Sequence, residues 1–136
     1  MANYYILKET YTQTSQNNIL VAIIDGEKAD TAESFYKILG DALRFPDYFN
    51  HNMDSFDELI NDLDWLDEND IRIVFKNYDN FLEEENDEIR EIILTVLDDA
   101  AEEWKRNDNT KVLNIYIEPS ELAEDDLETL GISYID

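Results

Sequence analysis

Between residues 45 and 71 the chain carries nine carboxylates and no lysine or arginine, a density that only a few chemistries can use. Asp54, Asp57, Glu58 and Asp62 recur at helical spacing, and a rotation of about 100° per residue gathers them on one side of a helix. Three uses compete for such a stripe: holding a hard cation, acid–base hydrolysis, and accepting hydrogen bonds from the guanidinium and ammonium groups of a basic protein. Residues 62–70 alternate acids with other residues but lack the central glycine and closing glutamate of a calcium loop. Hydrolysis needs carboxylates of separated pKa in an apolar cleft, and this stripe falls on the solvent side of its helix. Recognition of a cationic partner fits best. Solvated faces ordinarily pair Glu with Lys one turn apart, whereas like charges so placed repel by roughly a few tenths of a kcal/mol per pair. Tyr48 and Phe49, on a loop anchored by Pro46 just before the stripe, add the residue type enriched at binding hot spots.

Other catalytic readings find little material. The lone His51 has no cysteine or signature serine to activate, so it reads as a loop residue at a turn. Only Gly26, Gly40 and Gly131 are present, and none opens the spaced pattern of a phosphate cradle. No enzymatic activity, cofactor or metal is expected. The whole chain sets 34 acidic against 10 basic residues, a net charge of −24, which repels nucleic acid and anionic membranes and draws cationic surfaces. The absence of cysteine, of an apolar N-terminal run and of any apolar stretch near the roughly 20 residues that span a bilayer predicts a soluble, cytoplasmic protein.

The elements that must position the stripe are legible in the hydrophobic pattern. Residues 19–24 form an uninterrupted apolar run closed by Asp25 and Gly26, the mark of a strand buried on both faces. Asp30 with Glu33 predicts a capped helix carrying Phe35, Ile38, Leu39, Ala42 and Leu43, which Pro46 stops. From Met53 a second helix turns Phe56, Leu59, Ile60 and Leu63 inward and the acids outward. A strand over 71–75, a polar connection with a short helical turn, and a long amphipathic helix over 88–104 ending within 106–109 follow. A strand over 112–117 is stopped by Pro119. Strands linked by helices imply an α/β fold: a small three-stranded parallel sheet packed against helices, in one domain with its core at 19–117. Residues 1–18 are expected to form an N-terminal arm, with Tyr4 to Leu7 a strand or an extended lead-in. Residues 118–136 form an acidic tail in which Ser120 begins a capped segment and 132–135 offers a terminal strand.

At the loop and second helix the chain resembles the barstar family, the small intracellular inhibitors of secreted bacterial ribonucleases. The resemblance runs from Ile19 to Ile117 and is carried by Pro46-Asp47-Tyr48-Phe49 followed by Asn52-Met53-Asp54, on a shared order of elements. It implies a protein that plugs the active-site groove of a basic ribonuclease one to one, its carboxylates standing in for substrate phosphates. Tyr48 matches the family's loop aromatic, Asn52 its loop amide, Asp54 its first contact aspartate and Glu58 the aspartate that enters the phosphate pocket. Asp99, on the long helix, falls where a peripheral acidic contact would lie. Asp57 stands where the best-known member has tryptophan, and Glu58 is one methylene longer than the aspartate it replaces. Tyr48, Asn52, Asp54, Asp57, Glu58, Asp62 and Asp99 are thus the candidate partner-binding residues. The alternative is a module of the same fold that binds another basic protein without inhibiting it.

Overall fold

The computed structural model describes residues 2–106 and 111–136. Its strands β1 (Tyr4–Ile6), β2 (Ile19–Asp25), β3 (Asp70–Lys76), β4 (Val112–Ile117) and β5 (Tyr134–Ile135) form one sheet in the order β2-β3-β4-β1-β5, every neighbouring pair parallel. The sheet therefore has five strands, where three were expected. The arm and tail supply the other two: Tyr4 is paired with Ile115 on one side and Tyr134 on the other, so β1 is an inner strand. Three residues of β1 and two of β5 are too short to show a period, and their pairing partners are far away in sequence.

Helices α1 (Ala32–Ala42), α2 (Met53–Ile60), α3 (Asp87–Arg106) and α4 (Glu121–Leu130) join the strands, with a 3₁₀ turn at Tyr78–Asn80. The steps β2 to β3, β3 to β4 and β4 to β5 all move one way across the sheet. The step from β1 to β2 moves the other way and crosses the opposite face, as right-handed crossovers require when the direction reverses. One core results. Alternate strand residues Leu20, Ala22, Ile24, Ile71, Ile73, Phe75, Leu113, Ile115 and Ile117 pack with Phe35, Leu39, Phe56, Ile60, Ile93, Leu97 and Leu127 of the helices.

No helix among the described residues covers the second face of the sheet. Residues 8–16 cross it as an extended strap: Tyr11 packs on Tyr116, which stacks on Tyr5 at 5.0 Å, and Arg72 donates to Gln13. Hence β2, expected to be buried on both faces, is buried on one, and Ile23 is exposed. Its apolar run reflects an edge strand roofed by a loop.

The ends of the helices also differ from expectation in detail. Thr31, one residue after Asp30, caps α1 by accepting from the Ser34 amide at 3.1 Å. The helix ends before Pro46 through Arg44, whose left-handed φ of 57° lets the Phe45 amide reach back to Gly40 O at 2.8 Å. The end of α3 at Arg106 leaves 107–109 of its expected terminus outside the described residues. Residues 120–135 hold both expected features, a helix capped by Ser120 and closed at Gly131, then a strand. Asp126 of α4 is buried against Arg90 of α3, which donates to both its oxygens, and it also accepts from Tyr78 Oη at 2.7 Å.

Candidate partner-binding surface

The surface begins with how the loop after α1 is held. Phe45 and Phe49 fold inward: their rings meet edge to face at 4.9 Å, Phe45 packs on Trp65, and Phe49 approaches Tyr36 of α1. Trp65 in turn donates its indole N–H to Leu43 O at 2.9 Å. A turn closed by the Phe49 amide on Pro46 O turns the residues between them outward, so that Tyr48 is 63% exposed while its neighbour Phe49 packs against the core. His51 takes a left-handed φ of 51° and lays its ring 4.9 Å from that of Phe49, a packing position in the loop.

Asn52 then starts α2. Its Oδ1 accepts from the Ser55 amide at 2.8 Å, the N-cap bond that satisfies one of the otherwise unpaired first-turn donors. The side chain read as a partner contact is therefore already engaged in the fold, though the residue itself is exposed. Phe56, Leu59 and Ile60 face the core and leave Asp54, Asp57 and Glu58 exposed on the other side. Asp54 also benefits from the positive end of the helix dipole.

Asp62 differs from the expected stripe. The helix stops at Ile60 with Asn61 as its C-cap, and Leu63 adopts a left-handed φ of 52°, so Asp62 sits in the turn beyond, half-buried beside Asp64. Apolar spacing through Leu63 continues the helical period although the backbone leaves it, because Leu63 reaches the core from the turn. Partial burial, then the neighbouring Asp64 and Glu58, raise the Asp62 pKa above the usual aspartate range. Asn61 donates to the Asp57 carbonyl and carboxylate, at 2.8 and 3.2 Å, steadying Asp57 at the helix end.

Asp99 is exposed on α3, which packs beside α2. Its pKa is raised by partial desolvation and by the charges of Asp98 and Asp57, so Asp99 and Asp57 share one electrostatic surface. The neighbouring Asp98 turns toward β1 and accepts from Asn3 Nδ2 at 2.9 Å. The doublet was visible in sequence, but which member faces α2 depends on how α3 docks. Asp64 was not singled out, and its closeness to Asp62 follows from the turn that ends α2.

The placing of the bases completes the picture. Arg44 and Arg72 flank the acidic segment and pair with its last members, Glu68 and Asp70, leaving the other seven carboxylates without an ion pair among the described residues. Lys76 pairs with Glu118, Arg90 with Asp126, and Lys111 donates to the Leu66 and Glu68 carbonyls. Carboxylates without internal partners keep their acceptor capacity for an external donor, and an arginine can take it bidentately.

An open parallel sheet covered by helices, with an aromatic loop feeding an acidic helix, defines a class of small acidic α/β proteins. A family model described as Barstar (barnase inhibitor) matches residues 19–118, and the chain belongs to the barstar family. The comparison with curated proteins gives no match. No helix among the described residues is long and apolar enough to cross a membrane.

Proposed function

We propose that this protein is an inhibitor that blocks the active-site groove of a basic ribonuclease, one to one, through Tyr48, Asn52, Asp54, Asp57, Glu58, Asp62 and Asp99. The observation that carries the reading is the exposed row Asp54, Asp57 and Glu58, without an ion pair among the described residues, led in by an exposed tyrosine on an anchored loop. A ribonuclease groove is built from cationic groups that hold a phosphodiester, and carboxylates accept hydrogen bonds from those same donors. Family membership supports the class of target, since the family model is described as a barnase inhibitor. In this reading residues 1–136 act as one domain in the cytoplasm, with no cofactor and no chemistry of their own.

Asn52 contributes through its cap, which sets the first turn of α2 and so the direction of Asp54. Glu58, with its extra methylene, reaches deeper than an aspartate, and Asp57 and Asp99 supply the flanking field. The test is RNA hydrolysis by barnase with increasing amounts of this protein. Loss of activity at one equivalent, with an association rate that falls steeply as salt rises, is expected. Binding without loss of activity would favour the non-inhibitory module, and no binding at low salt would remove barnase-type enzymes as targets.

A further inference from the structure

Gly40 lies in the last turn of α1, buried, in a conformation open to any residue, since its φ is not left-handed. Alanine is the better helix former at such a position, so the backbone gives no reason for glycine. The missing side chain does. A Cβ at Gly40 would stand 3.1 Å from Cε2 and 3.2 Å from Cδ2 of Phe49, and 3.6 Å from Cδ2 of Phe45. Carbon atoms pack best at roughly 3.5–4.0 Å, so the Phe49 ring fills the space a Cβ would need. Tyr36, one turn earlier on α1, lies 6.4 Å from the same ring and directs its hydroxyl to Met53 Sδ at 3.7 Å. One face of α1 thus seats Phe49 and Met53, the residues on either side of 50–52.

We propose that Gly40 is a positioning residue for the binding surface: by letting Phe49 lie directly on α1, it sets the distance between helix and loop. That distance fixes the outward direction of Tyr48 and the start of α2. The inference deepens the inhibitor reading and rests on it for its functional consequence. Filling the gap with a methyl group pushes Phe49 outward, and the turn from Pro46 to Phe49 carries Tyr48 with it.

The test uses the full chain with Gly40→Ala. In the free protein the His51 ring signals, shifted by the adjacent Phe49 ring, are expected to move while the Trp104 indole signal stays in place. Affinity for barnase is expected to fall about tenfold, mainly through faster dissociation. The double variant Gly40→Ala/Phe49→Leu, in which the ring edge is gone, should bind as Phe49→Leu alone does. Unchanged His51 signals in Gly40→Ala would overturn the proposal. If Gly40→Ala does not fold, Phe49→Leu decides: a drop in hydrogen-exchange protection of the Ser55 amide supports the seat, and unchanged protection overturns it. Should wild-type protein fail to bind barnase, the inhibitor reading fails there, while the free-protein signals still decide the role of Gly40.

Discussion

At its joint with α4, α3 meets a buried carboxylate that is fully paired; on its side toward α2, its exposed Asp99 lies in the field of the exposed Asp57. Asp126 sits between the Arg90 guanidinium and the Tyr78 hydroxyl, and the carboxylate holds Arg90 firmly protonated while burial drives the Tyr78 pKa up. Asp57 and Asp99 make no ion pair among the described residues, and partial desolvation with the charges of Asp98 and Asp57 outweighs Arg106 in raising the Asp99 pKa. With 10 basic residues against 34 acidic ones, the fold places Lys76, Arg90 and Lys111 at joints between elements and leaves Asp54, Asp57 and Glu58 without an ion pair among the described residues. Under the proposed function, internal architecture and external recognition use the carboxylate in opposite ways. One is measured as stability, the other as affinity.

The largest effect should come from the joint. Asp126→Ala leaves buried Arg90 only the exposed Asp87 as an ion-pair partner and strands the Tyr78 hydroxyl, and a loss of about 3 kcal/mol in denaturant-induced unfolding is expected. A loss under 1 kcal/mol, on the scale of about 0–1 kcal/mol seen for exposed pairs, would mean the joint is wetter than its burial implies. Next is Asp54→Ala, which should leave the unfolding midpoint nearly unchanged yet weaken the complex with a basic ribonuclease by about 2 kcal/mol or more. Calorimetric titration checks it, and equal losses in stability and affinity would erase the contrast between the two regions.

Asn52→Ala should lie between these cases, costing about 1 kcal/mol of stability by removing the cap, with any affinity loss following from the disturbed first turn. Replacement by Ser, another good cap, should restore most of both. Smallest is Asp62→Asn. Because the native Asp62 pKa is raised, the folded state binds the proton more tightly than the unfolded one. Wild-type stability therefore falls as pH climbs from about 3.9 through the raised native value, and the variant should lack that fall. Denaturation at about pH 3 and about pH 7 tests the sign: the variant should gain relative to wild type only at the higher pH.

The strands over 19–25, 70–76 and 112–117 and the long helix were readable because each carries enough apolar residues to show a period. Tyr4 to Ile6 offered no such evidence, and their place beside β4 depends on residues that no local pattern links to them. The apolar run of β2 also misled, since a loop covers a sheet face without leaving a helical period to notice. At the site, the alternation of Phe56, Leu59 and Ile60 with Asp54, Asp57 and Glu58 was legible in the sequence. The end of the helix was not, because a left-handed Leu63 keeps the apolar spacing while moving Asp62 off the helix face.

The insertion of β1 between β4 and β5 has a consequence for synthesis. Tyr4 leaves the ribosome long before its pairing partners Ile115 and Tyr134, which lie far along the chain, are made. At 5–20 residues per second, β1 waits on the order of ten seconds before its neighbour exists. Strands β2 and β3 can pair in that interval, with Leu20 against Ile71, and β4 joins them when it emerges. Closing the sheet is thus the last event, and a nascent chain arrested before β4 would carry β1 with no strand to join.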